Sequence, residues 1–108
     1  MNEDFLSHFL NETVGFLKSY NLTPEDVIWV GSSNGEYSIS WEEFEKIADF
    51  KYYDGYGTNV IALNLVVVGN DWWLERHEYD GSEEWVFKRY PTTSLEAKSF
   101  TNLKDKIS

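Results

Sequence analysis

The chain has 108 residues, 42% of them hydrophobic and 18% aromatic, with nineteen acidic residues against nine basic ones and no cysteine. That is one domain's worth of chain with enough large rings for a single core. It excludes a disordered chain, disulfide staples and thiolate-based metal or redox chemistry.

The formal charge of −10 is unevenly spread: residues 1–60 hold eleven acids and three bases, residues 61–108 eight acids and six bases. Such a surface repels nucleic acid and anionic membrane and attracts a basic partner, although acidity also serves solubility alone. The opening MNEDFLSHFL lacks the basic region of a signal peptide, and the longest apolar run, VIALNLVVVG, is too short for a bilayer span. A soluble cytoplasmic protein is expected.

In chain order, Phe5, Leu6, Phe9, Leu10, Val14 and Leu17 recur at helical intervals and predict an amphipathic helix from about Asp4 to Tyr20, with His8 on its surface. Thr23-Pro24-Glu25-Asp26 reads as a capped single turn. Strands are expected over Val27–Gly31 and Tyr37–Ser40, joined through Asn34-Gly35, a pair that tolerates positive φ. Ser40-Trp41-Glu42-Glu43 matches a capping box and opens a second helix. Trp41, Phe44, Ile47 and Ala48 form its buried stripe, with Glu42, Glu43, Glu45 and Asp49 outward.

The loop YYDGYGTN at 52–59 has no lysine and no phosphate-loop ending. Its Tyr52, Tyr53 and Tyr56 suit either a contact surface or the end of the core. Ala62–Gly69 reads as a central strand, and Trp72–Tyr79 and Ser82–Tyr90 as two more around Asp80-Gly81. A two-residue turn there pairs residues whose numbers sum to 161. Trp72, Leu74, Trp85 and Phe87 then face the core. Trp73, Glu75, His77, Glu84, Val86 and Lys88 share the half-solvated face. Three cross-strand pairs, Trp72–Arg89, Trp73–Lys88 and Arg76–Trp85, set a cation against an indole. Pro91 ends the sheet, and the tail, a short helix or packed coil, is expected to dock through Leu95, Phe100, Leu103 and Ile107.

The block WWLERHEYDGSEEWVF, with WVGSSNGEYSISWEEFEKIADF and LNLVVVG upstream, resembles a family of small acidic bacterial proteins of uncharacterised function. The resemblance covers about residues 27–90. It implies one domain with a shared core and carries no functional residue with it.

The expected architecture is α+β: one domain of two helices packed on an antiparallel sheet of about five strands. Its core is Phe5, Phe9, Leu17, Ile28, Val30, Ile39, Trp41, Phe44, Ile47, Leu65, Val67, Trp72, Leu74, Trp85 and Phe87. The expected function is non-enzymatic and without cofactor or metal: binding, and inhibition, of a basic protein that is itself a toxin or a nucleic-acid binder. The candidate surface is Glu42, Glu45, Tyr52, Tyr53, Tyr56, Trp73, Glu75, His77 and Glu84. The alternatives are an oligomerising domain, or a small-ligand or hydrolytic site at Glu75, Arg76 and His77. Metal binding by His77 with Glu75 and Glu84 is the weakest reading.

Overall fold

The computed structural model describes residues 6–53, 55 and 60–104. Asp4, Phe5, Tyr56 and Ile107 lie outside them. The elements are β1 (Ser7–His8), α1 (Phe9–Ser19), a 3-10 turn (Pro24–Asp26), β2 (Trp29–Ser32), β3 (Ser38–Ile39), α2 (Trp41–Ile47), β4 (Lys51–Tyr52), β5 (Leu65–Val68), β6 (Trp72–Tyr79) and β7 (Ser82–Arg89). Strands β3-β2-β5-β6-β7 form an antiparallel sheet in that order, and β1 pairs with β4 separately. The expected α+β architecture is the one observed.

The β6–β7 hairpin organises the rest. Asp80 and Gly81 both take positive φ, 53° and 86°, the conformation that matches the twist of the flanking strands. Trp72 opposes Arg89, Leu74 Phe87, Arg76 Trp85 and His77 Glu84, which is the expected register. Because β5 pairs Val67 with Leu74 and β2 pairs Val30 with Val67, one face of the sheet carries Ile39, Val30, Val67, Leu74 and Trp85. Gly69, between β5 and β6, leaves room for the Trp72 indole; a Cβ there would stand 2.0 Å from that ring.

Both helices lie on this same face. Phe9 of α1 stacks on Trp85 with centroids 5.6 Å apart, and Tyr20 just beyond the helix stacks on Phe87 at 4.1 Å. Phe44 of α2 meets Phe9 edge-on at 5.8 Å. Thr13 and Leu17, one and two turns after Phe9, complete the buried stripe of α1.

Several boundaries differ from the sequence reading. The apolar repeat reaches back to Leu6, yet α1 begins at Phe9. Ser7 and His8 are drawn into pairing with Tyr52 and Lys51, and the Phe9 amide donates to the Phe50 carbonyl at 2.9 Å. His8 is therefore the N-cap rather than a helical surface residue. Its Nδ1 accepts from the Asn11 amide at 3.2 Å, which places the ring proton on Nε2, 2.8 Å from the Asp49 carboxylate.

The capping box at Thr23 and Asp26 forms as expected, as does the bond from the Glu43 amide to Ser40 Oγ. The strand at Tyr37–Ser40 shrinks to Ser38–Ile39, the strand at Val27–Gly31 becomes Trp29–Ser32, and that at Ala62–Gly69 starts only at Leu65.

Two expected core residues are exposed. Ile28 donates its amide to Val68 but stands at the sheet's end with its side chain 67% exposed. Ile47 is 63% exposed and lines an open apolar cleft of about 200 Å³ with Phe50 and Val60. The described part of the tail does not dock: Leu95, Phe100 and Leu103 all stand in solvent.

Candidate functional site

With both helices and β4 on one face, the opposite face of the sheet carries no helix or strand among the described residues. Alternation puts Trp29, Val66, Val68, Trp73 and Val86 at its centre and Glu75, His77, Glu84 and Lys88 around them. Trp73 is half-buried here: its Nε1 donates to Glu75 Oε1 at 2.9 Å, and Tyr90 meets its ring edge-on at 5.4 Å. His77 and Glu84 form the expected cross-strand pair, Nδ1 to Oε1 at 3.7 Å, with both side chains largely in solvent. Water screens such a pair heavily, so it contributes little to stability.

The same alternation separates Arg76 from Glu75 and His77. Arg76 points into the core face, where its side chain has no solvent exposure. Its guanidinium packs beside the stacked Phe9–Trp85 pair, 5.2 Å from the Phe9 centroid and 4.8 Å from that of Trp85. Nη1 donates to Glu12 at 3.3 Å, Nη2 donates to the Tyr52 hydroxyl at 3.1 Å, and Nη2 stands 3.5 Å from Glu83 Oε1. Arg76 Nε is buried with no hydrogen-bond partner among the described residues.

Glu83 is buried too, and its two oxygens accept the amides of Val60 and Ile61 at 2.6 and 3.0 Å. A single ionic knot thus joins α1, β4, the start of the 60–64 turn, β6 and β7. The trio Glu75, Arg76 and His77 is not one site.

Of the three expected cation–indole pairs, Arg76–Trp85 forms. Arg89 instead bonds Asp71 at 3.1 Å, and Trp73 gives its N–H and ring edge to Glu75 and Tyr90. Glu12 and Glu83 were missed as functional groups of the core. Parity was the available signal: Glu83 falls on the same face as Trp85 and Phe87, where a charge requires a partner.

The tyrosines divide. Tyr52 belongs to the core, 4% exposed, with its hydroxyl donating to Glu12 Oε1 at 2.6 Å, so it is not part of an outer contact surface. Tyr53 is partly exposed at 39%. Burial pushes the Tyr52 hydroxyl well above its ordinary value of 10.0, the bond to Glu12 adds to the rise, and Arg76 opposes it. The folded chain therefore holds Tyr52 neutral where the unfolded chain would ionise it. That contribution is fully present below pH 10 and is lost as pH climbs above it. Tyr52→Phe is expected to cost about 1–2 kcal/mol at neutral pH, through the lost hydroxyl bonds. It should also show a shallower fall in stability above pH 10 than wild type, read by urea unfolding across the alkaline range. Equal slopes would mean that the buried hydroxyl does not titrate with unfolding.

A second feature is a run of acidic residues along the chain. Residues 25–49 hold seven acids, Glu25, Asp26, Glu36, Glu42, Glu43, Glu45 and Asp49, against the single base Lys46. All seven are exposed. Glu42 and Glu45 thus lie on α2, on the helical side of the sheet, apart from Trp73, Glu75, His77 and Glu84 on the open side. No group of three or more His, Asp or Glu residues among the described residues is arranged to hold a metal ion. No helix among them is long and apolar enough to cross a membrane.

No family model, curated protein or solved structure matches this chain.

Proposed function

We propose that this chain is a non-enzymatic, cytoplasmic binding module that captures a basic protein, a toxin or a nucleic-acid binder, and blocks it by covering its positive surface. The observation that carries the reading is the stretch 25–49, where seven exposed acids face a single lysine. Opposed potentials of this kind steer encounter and raise association rates more than they deepen equilibrium affinity. The ionisable residues of the core support the reading from the other side: Glu12, Arg76 and Glu83 are engaged with one another and with Tyr52. Glu42 and Glu45, free of that knot, are the residues assigned to the partner.

The experiment is capture of partners from host lysate on the immobilised 108-residue chain, eluted in rising salt. One basic protein, released by salt, is the expected result. Glu42→Lys combined with Glu45→Lys should then weaken its binding about tenfold or more, with a smaller salt dependence. Binding indifferent to ionic strength and to that double substitution would remove the electrostatic reading.

A further inference from the structure

The two edges of the sheet differ in kind. At one, β3 is two residues long and runs through Ser40 straight into α2, so it presents almost no free backbone. At the other, β7 is eight residues long, contains no proline, and keeps one unbroken register with β6 from Ser82 to Arg89. Among the described residues no other strand pairs with it. Chains ordinarily blunt such an edge with a short strand, a bulge, a proline or charged side chains, and of these β7 carries only the charges, Glu83 and Glu84 at one end and Lys88 and Arg89 at the other.

The turn fixes which backbone groups are available. A two-residue loop makes Tyr79 and Ser82 the closing hydrogen-bonded pair, so the even-numbered residues of β7 bond to β6. Glu83, Trp85, Phe87 and Arg89 turn their N–H and C=O groups outward.

The side chains then choose the partner. From Glu83 to Arg89 the strand reads EEWVFKR, with acids at one end, bases at the other and apolar residues between. A strand of that pattern is complementary to itself when reversed. Centred on Val86, an antiparallel second copy sets Glu84 opposite Lys88 twice, Val86 opposite Val86, and Trp85 opposite Phe87. This centre matches odd residues with odd residues, so the outward backbone groups meet and the charges agree in the same register. Shifting the centre to Trp85 or Phe87 keeps the backbone bonds but sets Val86 opposite Glu84 or Lys88, and both ion pairs are lost. Glu84 and Lys88 are exposed, Glu84 with only a long 3.7 Å approach to His77, whereas Glu83 is turned into the core and Arg89 bonds Asp71 at 3.1 Å.

We propose that β7 is a self-association edge: two copies of this chain join antiparallel through β7 about a two-fold axis at Val86, extending the sheet to twice its strands. This goes beyond the capture of a basic protein and does not rest on it.

Sedimentation of the 108-residue chain over a concentration series at low salt tests it. A reversible monomer–dimer equilibrium is expected. Lys88→Glu and Glu84→Lys should each weaken it roughly tenfold or more, since each turns two opposite-charge pairs into like-charge pairs. Mixing the two single variants should restore a heterodimer, because every pair across the edge is then complementary. The double variant Glu84→Lys/Lys88→Glu should dimerise like wild type. Both positions are exposed, so unchanged unfolding midpoints at a dilution where wild type is monomeric separate lost assembly from lost folding. A monomer throughout the series overturns the proposal, as does a dimer indifferent to both single variants. Failure of the mixture to recover overturns the register centred on Val86.

Discussion

Arg76→Ala is expected to destabilise the fold by about 3–5 kcal/mol, the cost typical of removing one partner from a buried ion pair. The guanidinium is wholly enclosed, and three acceptors depend on it: Glu12, Glu83 and the Tyr52 hydroxyl. Without it, Glu83 remains buried with its charge answered only by the Val60 and Ile61 amides. The Phe9 and Trp85 rings also lose the cation packed beside both of them. Arg76→Lys should recover little of the loss, because an ammonium cannot span the same fork of acceptors or lie flat against the two rings. Urea unfolding gives the test, with Glu83→Gln completing a double-substitution cycle. The pair should cost less together than the sum of the two alone. A loss below about 1 kcal/mol for Arg76→Ala would show that the core closes over the site and that the knot contributes little.

Trp85→Ala is expected to cost a similar amount, about 3–5 kcal/mol, for a different reason. Trp85 is the floor on which α1 rests. Its ring stacks on Phe9, and its Nε1 donates to Thr13 Oγ1 at 2.9 Å, while the Thr13 hydroxyl donates in turn to the Phe9 carbonyl at 2.8 Å. Trp85→Phe preserves the stacking and removes the indole donor, and should cost about 1–3 kcal/mol. Thr13→Val leaves the indole N–H buried without an acceptor and should cost about the same. Thermal unfolding with near-ultraviolet dichroism distinguishes the parts. If phenylalanine at 85 behaves like alanine, the indole bond rather than the packed area holds the helix to the sheet.

How much of this was legible in the sequence depends on how local each determinant is. The β6–β7 register was fully legible, because Asp80-Gly81 admits only a tight turn and two-residue alternation then assigns every side chain to a face. The caps at Thr23 and Ser40 were legible for the same reason, being closed within four residues. The start of α1 was not: Leu6, Phe9 and Leu10 continue the helical repeat, but Ser7 and His8 are held extended by Tyr52 and Lys51, over forty residues away in the chain. Ile28 and Ile47 fit their apolar patterns and are exposed because the layer that would cover them stops short, which no periodicity encodes. For the candidate surface, alternation correctly grouped Trp73, Glu75, His77 and Glu84. It also implied that Arg76 and Glu83 point inward, an implication masked by reading Arg76 opposite Trp85 as a solvated cation–π pair.

The ionic knot has a consequence for how the native state breathes. Its members come from α1, β4, β6 and β7, and Glu83 also tethers the amides that follow the 54–59 segment. Peeling away any one of these segments strands a charge or a polar donor in the interior of what remains. Partial openings that break the knot are therefore costly, and the slowest-exchanging amides of α1 and the hairpin are expected to report one common opening free energy in hydrogen exchange instead of a graded series. The residues beyond Pro91 make no such contact in their described part. Limited proteolysis is therefore expected to cut in the described part of the tail before it cuts in the sheet or in α1.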